Sequence, residues 1–292
     1  MRKARLDGTG LGVVVGVTLL LAINQIVVKE ANRGFQPVFF AGLRSVLATG
    51  FVWAALRLRG RGLVLRRQDV LPGLLIGAVF ALEFMGLFLA IDLTAVGRAS
   101  VIFYSMPVWL GLLAHFFLPG ERLNALRGAG LLLAFAGTAM AILSRPSGGA
   151  ANLAGDLWAL TGAVCWALTA FIARRSSLAG AGPEMQLFWM VLVSGPILVA
   201  VSPLFGPLLR EIQPVHWAYL LFQAGIVVTG GFVAWLWLLS VYPAATVASF
   251  SSLTPVFAIL LGHVLYGEPL TPALLVAVAL IATGIVLVNR RG

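Results

Sequence analysis

Apolar runs long enough to cross a bilayer recur ten times along this chain, at about 10–28, 36–56, 70–91, 98–118, 126–143, 155–173, 184–205, 215–239, 246–265 and 272–288, each bounded by charged or Pro/Gly-rich breaks. A membrane helix takes about 20 predominantly apolar residues. Ten of them use about 200 of the 292 residues. The rest makes two tails and nine short loops, with no room for an aqueous catalytic domain. Composition agrees, because only 10% of the residues are charged and 60% are hydrophobic, whereas a soluble surface needs about 25% charged residues. The runs are apolar on nearly every side, unlike the alternating decamers of a membrane β-barrel. The expected fold is an all-α integral membrane protein with ten transmembrane helices.

The few charges are informative by position. One set of loops and tails carries Arg2, Lys3, Arg5, Arg57, Arg59, Arg61, Arg66, Arg67, Arg122, Arg127, Arg174, Arg175, Arg290 and Arg291; the opposite set carries Lys29, Arg33, Arg98, Arg145 and Arg210. That bias predicts both termini in the cytoplasm of a multi-pass inner-membrane protein. The net charge of +10 is spent on topology in short clusters, so no nucleic-acid partner is expected. The Arg57–Arg67 run sits beside anionic lipid on this reading. A lone Cys165 excludes an internal disulfide. No cleavable signal peptide is evident.

The chain also resembles itself. Lys29 and Gly50 recur as Arg174 and Gly195 at a spacing of 145; Pro107 and His115 recur as Pro255 and His263 at 148; Gly120-Glu121 and Gly137 recur as Gly267-Glu268 and Gly284 at 147. The expectation is a first five-helix repeat over 1–146 and a second over 147–292. Five is odd, so the second copy enters the membrane from the other side. Inverted repeats of this kind underlie alternating access in many carriers, with the site at the repeat interface near the midplane.

Ten spans as five plus five, an Arg in the second span, Gly-Glu after the fourth and ninth, and Pro-Val within those spans resemble the drug/metabolite transporter superfamily. The resemblance is to its EamA-type branch and covers the whole chain. Within that branch the chain resembles the exporters of aromatic and other amino acids, the YddG type. Ala22-Ile23-Asn24-Gln25 stands where that pattern has Trp-Gly in the first span; Trp166-Ala167 in the sixth is closer to it. The resemblance implies efflux of amino acids or related metabolites, with drug or toxic-cation efflux as the alternative.

Ionisable residues inside spans are functional candidates by default. Arg44 and Glu83 each lie about 8 residues from the same end of the second and third spans, roughly 12 Å deep. They form either a structural brace or a coupling pair, with Glu83 binding an ammonium group or a proton. Asn24 matches Thr169 at the 145 spacing, so both are candidates for the pathway; the alternative is interhelical hydrogen bonding. Pro107 and Pro255 are expected hinges that free the carbonyls of Phe103 and Ser251; Tyr104 beside the first kink and Ser251 at the second are candidates to face the cavity, with a simple hinge as the alternative. Phe84, Phe103, Tyr104, Trp166 and Trp235 are aromatic candidates to line the cavity, with simple packing as the alternative. Trp53, Trp158, Trp189 and Trp217 read as interfacial anchors. His115 and His263 lack a second ligand nearby, so no metal is expected.

No Gly-x-x-x-x-Gly-Lys phosphate loop is present, and no cofactor is called for. The partners expected are a small-molecule substrate and the bilayer, and a monomer suffices. The rival class is an intramembrane hydrolase. Ser100 and His115, 15 residues apart on one span, lie about 22 Å from each other and cannot pair. Ser251 and His263 fail in the same way. A secondary transporter, not an enzyme, is the expectation.

Overall fold

The structure, a computed structural model, describes residues 7–60, 62–117, 124–144, 152–242, 250 and 253–289. Helices account for nearly all of them, and the β-structure among the described residues is one isolated bridge between Phe35 and Leu209. The first three spans are continuous helices: α1 (Gly8–Gly34), α2 (Pro37–Leu58) and α3 (Arg67–Leu93). The fourth is broken into α4 (Val96–Phe103) and α5 (Met106–Phe117). Then come α6 (Ala125–Leu143), α7 (Leu153–Arg175) and α8 (Pro183–Val201). The eighth span runs as α9 (Pro214–Leu221), a π-helical stretch (Phe222–Gly231) and α10 (Phe232–Val241). The last two are α11 (Leu253–Tyr266) and α12 (Pro272–Asn289). Where they are described, the apolar runs expected from the sequence are helical, apart from the break at Tyr104–Ser105 and the run edges. Seven of the spans are long and apolar enough to cross a bilayer unaided, and α11 and α12 are shorter apolar helices.

Local chemistry starts and stops these helices. Asp7 caps α1 by accepting from the Gly10 N–H, and Asn152 caps α7 by accepting from the Ala154 N–H. Gln36 caps α2 through the Phe39 N–H at 2.6 Å, with Pro37 at the first helical position. The fourth span breaks at Tyr104–Ser105, and Pro107 stands in the first turn of α5. The helix is thus discontinuous just before the proline, with Ser105 Oγ accepting from Trp109 Nε1 at 3.2 Å. Pro255 lies buried near the described start of α11.

The main packing between residues 7–144 and 152–289 sets α3 against α7, α2 and α3 against α8, and α6 against α12. It also sets α1 and α4 against α11, α4 and α5 against α7, and the eighth span against α1 and α2. Glycine permits the closest of these approaches. On α6 and α12, a Cβ at Gly137 would lie 2.7 Å from the Ala277 carbonyl, and one at Gly284 would lie 2.4 Å from that of Gly130. Small residues that bring backbones together replace the hydrophobic driving force that lipid removes.

One end of the bundle is fastened by polar clasps. Arg98 makes a bidentate pair with Asp156 at 2.7 Å and donates to the carbonyls of Ser144 and Ile142. Arg210 pairs with Asp92 at 2.8 and 3.0 Å and reaches the Asn32 carbonyl. Lys29 Nζ donates to the carbonyls of Ile91 and Thr94. The Glu268 carboxylate accepts from the N–H groups of Val96 and Gly97, the first turn of α4. At the opposite end, the Tyr242 hydroxyl donates to Asp7 at 2.5 Å.

Candidate substrate site

Arg44 is fully enclosed, at 1% exposure, and Glu83 is buried at 3%. The guanidinium lies over the Phe84 ring, 3.8 Å from its centroid, with Phe88 at 5.3 Å. Cation–π contact is geometry that Arg favours. The two charges feel each other electrostatically. They do not form a direct ion pair, unlike Arg33–Glu30, Arg98–Asp156 and Arg210–Asp92 among the described residues. The brace expected from equal depth is therefore not closed. Arg44 Nε and Nη2 and Glu83 Oε2 have no hydrogen-bond partner.

The neighbouring helices add to this set. Gly162, Cys165, Trp166 and Thr169 stand at i, i+3, i+4 and i+7 on α7, so one helical face carries all four. Thr169 faces the Glu83 carboxyl, and Gly162 fits between the Glu83 carbonyl and the Phe103 ring. Trp166 stacks on Phe103 at 5.0 Å and meets Tyr104 edge-on at 5.4 Å. Tyr104 in turn faces Thr254 at the start of α11. Phe80, Phe84 and Phe88 continue the aromatic wall along α3, with centroids 4.6 and 6.0 Å apart. Phe84, Phe103, Tyr104, Trp166, Thr169, Arg44 and Glu83 form or touch this set, and Asn24 is buried on α1, where its carbonyl accepts from Gln223.

Trp235 does not join them. It packs beside Val14, Val17, Leu238 and Tyr242, on the seam between α1 and α10. Ser251 lies outside the described residues. Trp189 is no interfacial anchor: it is 7% exposed, and its ring covers Gly73 on α3. Both misassignments share a cause. A Trp within an apolar run gives no sequence sign of whether lipid or a neighbouring helix faces its ring.

Several polar residues of the belt carry no motif in the sequence. Gln25 donates to Ser100 at 3.2 Å, Asn32 to the Phe88 carbonyl at 3.2 Å, and Gln223 to the Asn24 carbonyl at 3.4 Å. Each keeps its side-chain oxygen unpaired, as does Asn24, and the hydroxyls of Ser45, Thr169 and Thr254 also lack partners. Gln223 stands in the first turn of the π-helical stretch, where widened turns redirect side chains and recur at functional sites. An amide buried in an apolar run is the signal that marks such residues. Arg98 and Asp156 stand at run ends, where a loop charge is expected, yet they form a pair that is 6% and 0% exposed. Among the described residues no group of His, Cys, Asp and Glu is arranged to hold a metal.

A bundle of broken apolar spans around a buried, unsatisfied polar belt is the architecture of a solute carrier. The family model described as EamA-like transporter family matches residues 8–143 and again 153–290. The chain belongs to the EamA-like transporter family. It is 29% identical over 285 residues to the uncharacterized transporter YvbV of Bacillus subtilis, spanning 94% of this chain and 90% of that protein. It is 30% identical over 169 residues to the aromatic amino acid exporter YddG of Ancylobacter novellus, spanning 56% of this chain and 58% of that one. A probable amino-acid metabolite efflux pump of Escherichia coli matches at 26% over 284 residues, 92% of this chain and 91% of that one. One solved crystal structure superposes with a TM-score of 0.67 at 25% identity, covering 96% of this chain and 97% of that one. The chain is a multi-pass membrane transporter of small solutes and not an enzyme.

Proposed function

We propose that this transporter exports amino acids, aromatic or neutral, or closely related metabolites. On this reading it works by alternating access between two inverted five-helix halves, 1–146 and 147–292, with both termini cytoplasmic. The observation that carries the reading is the buried belt. Arg44, Glu83, Asn24, Gln25, Gln223 and Thr169 come from five spans, and each keeps a polar atom with no partner. In lipid each such atom costs several kcal/mol, so a carrier that holds them unpaired is organised around a polar solute. Phe103, Tyr104 and Trp166 supply ring faces for an apolar or aromatic side chain. The activities that name the YddG and amino-acid efflux relatives point the same way.

The packing supports the inverted halves. Exchange each span with the one five places later, and the contacts between halves map onto themselves. The α3–α7 contact becomes that of the eighth span with α1, and α1–α11 becomes the fourth span with α7. The contacts α2–α8, α4–α11 and α6–α12 map onto themselves, as a two-fold axis requires, and the family model's two matches fall on the two halves. Glu83 is the acid placed to take a proton or an ammonium group in exchange. The test is uptake and counterflow in proteoliposomes with amino acids, nucleotide sugars and cationic drugs at two proton gradients. Movement of amino acids is expected; movement of no solute under any gradient contradicts the reading.

A further inference from the structure

The belt holds one buried cation and one buried carboxylate that are close enough to feel each other but do not neutralise each other by contact. Arg44 is immobilised over Phe84 with Nε and Nη2 unpartnered. A fixed guanidinium fork of this kind matches a planar carboxylate. Glu83 directly precedes Phe84 along α3, so its carboxyl leaves the helix about 100° around from the ring that holds Arg44. It faces the Thr169 hydroxyl on α7 and keeps Oε2 unpartnered. That oxygen matches an ammonium donor. Nearby stand Phe84 on α3, Phe103 at the end of α4 and Trp166 on α7, with Phe103 and Trp166 stacked at 5.0 Å.

We infer that the site reads its solute as a zwitterion, with Arg44 taking the α-carboxylate, Glu83 the α-ammonium, and the Phe103–Trp166–Tyr104 rings the side chain. The inference rests on the transport reading above and narrows it to one charge pattern. Charge balance supports it. A monocation satisfies Glu83 and leaves Arg44 unpaired in a low-dielectric site, and a monoanion does the reverse. Leaving a buried charged group unpaired costs more than any aromatic contact returns. Only a solute carrying both charges on neighbouring groups satisfies both ends at once.

The experiment is competitive counterflow in proteoliposomes with three probes of one shape: phenylalanine, phenethylamine, which lacks the carboxylate, and 3-phenylpropionate, which lacks the ammonium. The intact protein is expected to prefer phenylalanine over either by at least about tenfold, the factor that 1.4 kcal/mol supplies. Arg44→Gln should shift preference toward phenethylamine, and Glu83→Gln toward 3-phenylpropionate. Each readout is a ratio within one preparation, so a lower yield of folded variant cancels. If a neutral variant does not reconstitute, Arg44→Lys and Glu83→Asp serve, and both should keep the phenylalanine preference. Equal or faster transport of either single-charge probe by the intact protein overturns the inference, as does a shift in the same direction by both neutral variants. Transport of other solutes but none of these probes also overturns it and leaves the transporter reading standing. Transport of nothing overturns that reading instead.

Discussion

Gly86 on α3 and Gly231 at the end of the π-helical stretch stand 145 residues apart, the spacing that also relates Lys29 to Arg174 and Gly50 to Gly195. Their surroundings differ sharply. A Cβ on Gly86 would lie 2.6 Å from the Trp158 carbonyl and 2.8 Å from the Gly162 nitrogen, so α3 and α7 touch backbone to backbone. Among the described residues, a Cβ on Gly231 would meet its own turn and a Leu20 methyl, each at 3.8 Å. The α3–α7 seam is tightly packed, and beside its end the Arg98–Asp156 clasp ties α4 to α7. The related seam between α1 and the eighth span is looser in its middle and is pinned near its tip by Tyr242, whose ring covers Gly10 and whose hydroxyl reaches Asp7. The eighth span is π-helical where its counterpart α3 is α-helical. On the alternating-access mechanism proposed above, two equivalent seams in unequal states are one snapshot of the cycle.

That contrast can be broken at graded cost. The largest effect is expected at the tight seam's clasp. Asp156→Ala strands a buried guanidinium, and melting in detergent should show a loss of about 3–5 kcal/mol. Next is Gly86→Ala, which must push α7 away and should cost about 1–3 kcal/mol and slow transport. Its repeat mate Gly231→Ala should stay within about 0.5 kcal/mol. Equal effects at the two glycines would erase the comparison. Tyr242→Phe removes one hydrogen bond to a carboxylate at the looser seam, worth about 1.5–3 kcal/mol at most and less where water reaches Asp7. The smallest effect is expected at Arg33→Gln. The Arg33 side chain is 65% exposed beside Glu30, and an exposed pair of this kind contributes about 0–1 kcal/mol.

The fold is largely legible in the sequence because a bilayer enforces it. An apolar run of spanning length has to be a helix, since every backbone polar group must be satisfied within it. The described helices accordingly begin and end within a few residues of the apolar runs. The site is legible in part. Arg44, Glu83, Asn24 and Thr169 are costly in apolar surroundings, and that cost alone marks them among their neighbours in the chain. Their pairing is not legible, because depth along an axis says nothing about rotation around it. Arg44 and Glu83 share a depth, yet Arg44 turns onto Phe84. Rotation also hides the fates of Trp189 and Trp235. Arg98 and Asp156 are hidden differently. Both sit at run ends, where charges are ordinarily solvated, and only the packing of α4 against α7 buries them.

If the halves alternate as proposed, the two seams exchange states, and paired distances test this most directly. In a Cys165→Ala background, spin labels at Leu93 and Leu153 report the α3–α7 seam, and labels at Leu11 and Trp237 report the seam between α1 and α10. All four positions are exposed, at 38%, 42%, 45% and 39% respectively. Double electron–electron resonance in nanodiscs, with and without saturating phenylalanine, should show the two distance distributions moving in opposite directions, one lengthening as the other shortens. Distances that stay fixed in every condition, or that lengthen and shorten together, would contradict the account.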